Sequence, residues 1–515
     1  MIDAKVFAVS GVDPEQLAYG FARYSRSSSS FQETLDWMKE QSDRASNFLD
    51  TFYYQYGHAS IGDMAMLPLC LEGISMIAAI EVEHEQLWSG QERSTRYQDF
   101  TKSGFVVPPE LEENFSRKSY YVETVQAALN IYNQLYSGIY RAMLDSVPPP
   151  TGTEADGFKR TLKARAFDAA RSLLPYAVKT SVGQITSART LESQISRLLA
   201  SPYQEVSELG KLMYAACSNE PFNPYLQKIA TKLAEQAGQF AELTTPKPIA
   251  PTLAKYVGKD IQAEKIAELM REMAQSQEAR LKHAERVAAT VEVQTAIPDP
   301  LIEAVATLIY RYSHIPYGEA VSLADDMPYN QRVEIYDLAF QQRGKHDGII
   351  RELQGGHNLT FDILMDGKGM QDFFRHRNCV QVRQDITDKH GFMPASEWFG
   401  LGLPEYVVKT PEIAASLKLY NSGMAQGGEV YRELQDGSST ITADYALPVG
   451  YNRRALFKMT TAQALYMIET RSKSQGHYSY RKAAVNMWEE LNKVWPHVAK
   501  HVRVTPFEDG DFLKR

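Results

Sequence analysis

The segment LTTPKPIAPT, residues 243–252, places three prolines in ten residues close to the middle of a 515-residue chain. Proline removes a backbone donor and disfavours helix on both sides, so this stretch reads as a linker between two halves. The halves share an ordered series of short matches. Asp13-Pro14 and Arg23-Tyr24-Ser25 correspond to Asp299-Pro300 and Arg311-Tyr312-Ser313. Gly57-His58 with Asp63 corresponds to Gly356-His357 with Asp362, the acid lying five residues after the histidine in both. Glu72-Gly73 corresponds to Asp366-Gly367, and Leu174-Pro175 to Leu447-Pro448. Single dipeptides recur by chance, but five matches in one order on either side of a linker point to tandem duplication. The expected fold class is α+β, with two tandem copies of one domain, each a mixed sheet flanked by helices. The expected boundaries are residues 1–242, a linker at 243–260, and residues 261–515.

Helical apolar spacing marks 31–56, 118–146, 186–216, 261–293, 412–434 and 457–472, and the runs KVFAV and YALPV read as strands. The net charge of −8 excludes bulk attraction to nucleic acid or anionic membrane. Cys70, Cys217 and Cys379 are scattered, which argues against a disulfide framework or structural zinc and fits a reducing, cytoplasmic setting. The apolar run from Met64 to Val82 is broken by Pro68 and Glu72 and reads as a buried element, not a membrane span. No HExxH, GxGxxG, P-loop or GxSxG pattern is present, so no metal, dinucleotide-fold or nucleophile-elbow site is expected.

Three stretches carry chemistry. QERSTRY, residues 91–97, offers Glu92, Ser94, Thr95 and Arg96 in one short loop. A guanidinium fork and a short hydroxyl suit a phosphate, and the same composition suits a polar surface loop. Arg375-His376-Arg377 sets two permanent cations close together, which in a pocket calls for an anion and on a surface is a solvated patch. RSKSQGHYSYR, from Arg471 to Arg481, mixes cations with His477 and aromatics, and reads either as a nucleotide grip or as an exposed helix end. Cys379 beside the triplet has no identifiable base partner and is a poor nucleophile candidate.

Taken together, these pieces resemble the flavin-dependent thymidylate synthase family, whose signature is an Arg-His-Arg triplet followed by a Glu-x-Ser-x-Arg-Tyr run. The first half resembles it over most of 9–215. GHASIGD, QERSTRY, ARSLLP at Arg171 and SAR at Ser187 to Arg189 fit, but His84, Glu85 and Gln86 replace the triplet. The second half resembles it from about 294 to 490. It keeps Arg375, His376 and Arg377 and the late Arg471, but has Arg383, Asp385 and Thr387 in place of the Glu-Ser-Arg run. Asp444 replaces the counterpart of Arg171, a reversal of charge that a phosphate ligand could not survive. The losses are complementary, so the resemblance implies a fused pair in which each half supplies one wall of a shared site. It further implies a homodimer of two-domain chains, a pseudo-tetramer.

The resemblance implies reductive methylation of dUMP to dTMP, with FAD as cofactor and NADPH and methylenetetrahydrofolate as co-substrates. Arg471 would be the catalytic residue, at the uracil edge. Glu92, Ser94, Thr95, Arg96, Arg171, Asp372 and Arg375 would bind the nucleotide. His58, Ser60, Glu92, Ser187, Arg189, Arg375, His376, Arg377 and His477 would hold the FAD. Three departures stand out: Asp372 where the family has a glutamine, Val380 where it has a serine, and Ser193 and Tyr466 where it has an asparagine. Asp372 raises the alternative of another pyrimidine nucleotide, and a non-catalytic nucleotide-binding relative is the second alternative.

Overall fold

The computed structural model describes residues 12–24, 33–34, 59–96, 98–100, 102–150, 155–223, 226, 229, 247–253, 257–278, 290–294, 300–339, 341–342, 350–353, 359–435, 440–494, 499 and 502–507. The first half runs through α1 (Pro14–Tyr24), β1 (Met66–Ser75), α2 (Met76–Val82), β2 (Ser89–Glu92), α3 (Phe115–Ser146), α4 (Ala155–Ala170), β3 (Lys179–Ser187), α5 (Ala188–Leu199) and α6 (Gln204–Ser218). The second half runs through α7 (Ile261–Glu278), β4 (Thr290–Gln294), α8 (Pro300–Tyr312), β5 (Leu359–Asp366), α9 (Gly367–Phe374), β6 (Val380–Arg383), α10 (Pro411–Gln435), α11 (Thr440–Ala446), β7 (Asn452–Met459), α12 (Thr461–Arg471) and α13 (Tyr478–Val494).

The order of elements bears out a mixed helix-and-sheet protein. In each half a strand ends on a capping side chain and turns directly into a helix, and it does so twice. The Ser75 hydroxyl accepts from the Ala78 amide at 3.0 Å, and the Asp366 carboxylate from the Gly369 amide at 2.7 Å. Ser187 caps α5 and Thr460 caps α12 in the same way. Helices α1 and α8 both begin on the proline of Asp-Pro, where a missing N–H costs nothing, and both end on the tyrosine of Arg-Tyr-Ser. The Leu-Pro pairs meet each other. The Tyr176 amide donates to the Leu447 carbonyl at 3.1 Å, and the Val449 amide donates to the Leu174 carbonyl at 2.8 Å. Reciprocal bonds between matching residues are what a two-fold relation between copies produces.

Two of the five matches are not structural equivalents. Asp63 lies in a 3-10 turn before β1, whereas Asp362 lies within β5. Glu72-Gly73 lies inside β1, while Asp366-Gly367 is the strand-to-helix junction whose counterpart is Ser75-Met76. Other local expectations also shift. The 186–216 segment is the end of β3 and two helices, parted at Ser201-Pro202 because proline cannot continue the first. Of 261–293, the helix covers Ile261–Glu278, and Thr290 onward is strand, as the β-branched TVEVQ favours. Phe457 to Met459 belongs to β7, and Tyr445-Ala446 ends a helix rather than forming a strand. KVFAV and nearly all of 31–56 lie outside the described residues.

The chain divides into two compact units, each discontinuous in sequence: 1–71, 87–91 and 182–260 in one, and 72–86, 92–181 and 261–515 in the other. In the first unit, α5 packs on α6. The proline-rich segment is tied down there, since the Thr252 and Leu253 amides both donate to Glu15 Oε1, at 2.7 and 2.6 Å. A three-stranded sheet of order β1–β3–β2 has strands that contribute residues to both units.

The second unit is built on an antiparallel sheet of order β4–β5–β7–β6, with Phe361 opposite Phe457. Side chains alternate across a strand, so each face has its own core. Phe361, Ile363, Phe457 and Met459 pack with Phe373, Phe374, Met467 and Met487 on one face. Leu456, Val380 and Val382 pack with Val305, Ile309, Tyr310 and Tyr317 on the other. Helices α3 and α10, the long helices of the two halves, pack against each other in this unit.

Candidate nucleotide site

Helix α9 organises the site. Its start is crowded, because a Cβ on Gly367 would lie 2.1 Å from Tyr176 Oη and 2.8 Å from the Val449 carbonyl, so only glycine fits. Met370, Phe373 and Phe374 face the core. Lys368, Gln371, Asp372 and Arg375 recur at i, i+3, i+4 and i+7 and therefore share the opposite face. Lys368 and Gln371 are nonetheless buried, so this polar face must be satisfied by other polar groups.

Glu92, at the end of β2, is the first of these groups. Its carboxylate is fully buried and accepts from Gln371 Nε2 at 3.1 Å and from Thr180 Oγ1 at 3.4 Å. Arg375 Nη2 lies 3.7 Å and Lys368 Nζ 3.8 Å from Glu92 Oε2. Lys368 also donates to Gln371 Oε1 at 2.5 Å. Burial pushes the Lys368 ammonium below the usual lysine range against the pull of Glu92. Burial, then the nearby Glu92 charge, lift the Glu83 carboxyl to about 8, so it is mostly protonated at neutral pH.

The loop after β2 and the end of α4 form the second part. Arg96 Nε donates to Asp168 Oδ2 at 3.1 Å, and its Nη2 donates to the Gln475 carbonyl at 3.3 Å. Burial opposes the Arg96 charge and Asp168 more than offsets it. Ser94 stabilises the loop by accepting from the Arg96 amide at 3.3 Å. Arg171 is only 1% exposed, yet among the described residues its one hydrogen bond is to Thr95 Oγ1, at 3.4 Å. Its Nε and Nη2 are buried without a hydrogen-bond partner among the described residues. The nearest anions, Asp168 and Asp372, stop at 3.7 and 3.9 Å. Asp372 in turn lies 3.8 Å from Arg375 Nη1. Burial works against its charge, and Arg375 and Arg171 outweigh that and hold the carboxyl below the usual range.

The third part surrounds the triplet. Arg471 Nε donates to His376 Nε2 at 2.7 Å. Burial, then the Arg471 charge, depress the imidazole to about 3, so His376 is neutral and acts there as an acceptor. Arg375 is 40% exposed, the open end of this cationic cluster. His477 is fully buried, its Nδ1 2.8 Å from Ser479 Oγ and its Nε2 3.3 Å from the Asp168 carbonyl. Through that contact it holds the end of α4. Cys379 donates to the His376 carbonyl at 2.9 Å, and burial raises its thiol to about 12, which rules out a thiolate at neutral pH.

The structure thus brings Glu92, Thr95, Arg96 and Arg171 of the first half together with Asp372 and Arg375 of the second, within one chain and one compact unit. Ser187 and Arg189 belong to the first unit, where Arg189 pairs with Asp63 at 3.0 Å. His58 lies outside the described residues, and only the 3-10 backbone of Ser60 is described. Sequence reasoning missed Lys368, Gln371, Thr180, Glu83 and Asp168. The helical spacing of the first two from Arg375 was a usable signal; the others reach the site only through the fold. The mismatched run of the second half is used internally. Arg383 lies over the Phe374 ring at 3.7 Å and donates to Gln381 and the Ile80 carbonyl, while Asp385 pairs with Arg311 at 3.1 Å. Among the described residues no cluster of His, Cys, Asp and Glu could hold a metal ion, and no helix is long and apolar enough to cross a membrane.

Comparison with known proteins follows this division of the chain. The profile of the family described as thymidylate synthase complementing protein matches twice, over residues 8–220 and 298–497, consistent with tandem duplication. A UPF0159 protein of Chlamydia muridarum is 23% identical over 537 aligned positions, covering 99% of this chain and 94% of its own. A flavin-dependent thymidylate synthase of Clostridium tetani is 22% identical over 180 positions, 35% of this chain and 67% of its own. A crystal structure of a flavin-dependent thymidylate synthase from Helicobacter pylori, complexed with FAD and dUMP, aligns at 16% identity over 40% of this chain and 89% of that one, with a TM-score of 0.25.

Proposed function

This chain belongs to the thymidylate synthase complementing protein family, and on that premise we propose that it is a flavin-dependent enzyme converting dUMP to dTMP. The observation that carries the reading is Arg171. A buried guanidinium with two nitrogens that make no hydrogen bond among the described residues is costly unless an anion completes it, and a nucleotide phosphate supplies one. Arg96, held by Asp168, and Thr95 and Ser94 on the same loop would bind that phosphate and set the register of the base.

The exposed Arg375 guanidinium, with Arg377 and neutral His376, fits an anionic cofactor, and these residues would hold FAD. When bound, FAD supplies the hydride chemistry, with NADPH as reductant and methylenetetrahydrofolate as carbon donor. Arg471, oriented by His376, would stand at the uracil edge and favour the ionised base. Glu92, locked by Gln371, Thr180 and Lys368, would fix the contact between nucleotide and flavin walls. Cys379 takes no covalent part. Ser60, Ser187, Arg189 and His58 would contribute to the flavin pocket. His477, whose Nε2 lies 3.3 Å from the Asp168 carbonyl, would help to position the end of α4. Both nucleotide walls lie in one compact unit of one chain, which supports one site per chain; the homodimer is what the family resemblance implies.

Purified protein should show a flavin absorption spectrum that shifts on titration with dUMP, and should form dTMP when methylenetetrahydrofolate and NADPH are added. Absence of flavin, even after incubation with FAD, would sink the reading. Asp372 favours a second reading, another pyrimidine nucleotide, marked by flavin that responds to that nucleotide and not to dUMP.

A further inference from the structure

Asp372 is a carboxylate set between the arginines of the two halves. Its Oδ1 lies 3.8 Å from Arg375 Nη1 and its Oδ2 lies 3.9 Å from Arg171 Nη2. Both distances are too long for hydrogen bonds, so the carboxylate compensates charge without satisfying either guanidinium. Arg471 and Lys368 add positive potential from other sides. The side chain is 15% exposed, whereas that of Arg171 behind it is 1% exposed. A small anion approaching Arg171 therefore meets Asp372 first.

We propose that Asp372 is an internal counter-anion for the phosphate subsite, and that a phosphate monoester binds by displacing its carboxylate from Arg171. The inference rests on reading Arg171 as a phosphate ligand. It makes Asp372 a specificity-determining residue, because a dianion competes better for the two arginines than a monoanion does. The same carboxylate keeps the ligand-free cluster from carrying uncompensated cations.

Inorganic phosphate is the first probe, because it lacks a base and so tests the inference even if dUMP is not the substrate. Calorimetric titration of Asp372→Asn should show phosphate and dUMP binding about tenfold tighter than in the native protein, the scale of removing one like charge from the subsite. Deoxyuridine, without a phosphate, should bind the two proteins alike. The ligand-free variant should unfold at a lower temperature, and added phosphate should stabilise it more than it stabilises the native protein. Asp372→Ser provides the same test should the asparagine variant fold poorly. Unchanged or weaker phosphate binding in a folded variant would overturn the proposal. So would equal weakening of dUMP and deoxyuridine, which would place Asp372 against the base.

Discussion

Arg171 and Arg454 are both arginines almost wholly shielded from water, yet they should respond oppositely to replacement by methionine. Arg454 meets Asp362 through Nε and Nη2 at 2.9 Å, in a pair whose side chains are 3% and 0% exposed. Removing one partner of such a pair strands the other charge and costs roughly 3–5 kcal/mol. Among the described residues Arg171 has one hydrogen bond, at 3.4 Å, and its carboxylate neighbours stand at 3.7 and 3.9 Å. Each orphaned buried donor carries a penalty of about 1–3 kcal/mol, which methionine removes while filling similar volume. Arg171→Met should therefore cost the ligand-free protein at least about 2 kcal/mol less than Arg454→Met does. Its dUMP affinity, by contrast, should fall by about 100-fold, the scale of a desolvated charged hydrogen-bond partner. Urea denaturation of the ligand-free variants and dUMP titration separate the two quantities. Equal destabilisation by both variants, with dUMP binding intact in Arg171→Met, would refute the reasoning that assigns Arg171 to ligand rather than to fold.

Three further outcomes are expected. Chains carrying Arg96→Ala, co-expressed with chains carrying Arg375→Ala, should not regain activity in mixed dimers, because Arg96 and Arg375 lie in one compact unit of one chain; recovery above the single variants would show exchange between chains. Glu83 titrates near 8, so anion affinity should decline as pH rises through that value, and Glu83→Gln should abolish the decline, as binding measured from pH 6.5 to 9 would reveal. His376, at about 3 when folded, takes up a proton more readily when unfolded, so its contribution to stability is complete above about pH 6.5 and is lost as pH falls toward 3. His376→Gln should therefore flatten the acid limb of a pH series of urea midpoints, and an unaltered limb would contradict the assignment.

The duplication was legible in the chain because local signals mark the starts and ends of elements. Asp-Pro opens a helix in both halves, and Leu-Pro sits at one place in both. The Asp63/Asp362 and Glu72-Gly73/Asp366-Gly367 matches failed for the same reason in reverse, since a lone acid or an acid-glycine pair names no fixed position in a strand or helix. Strand β7 escaped because its charged residues Arg453, Arg454 and Lys458 are buried, Arg454 against Asp362 and Lys458 against Glu303, so no polar alternation betrays it.

By sequence alone, the split of the site was already determined: which half keeps the Glu-Ser-Arg run, which keeps the triplet, and where Asp444 reverses a charge. Those are identities, and identity needs no coordinates. Only the tertiary structure decided that residues of both halves meet in one compact unit of one chain, with Arg171 between Asp168 and Asp372, and that His477 is fully buried. Burial, distance and the hydrogen bonds left unmade arise from packing segments far apart in the chain, and spacing along it does not encode them.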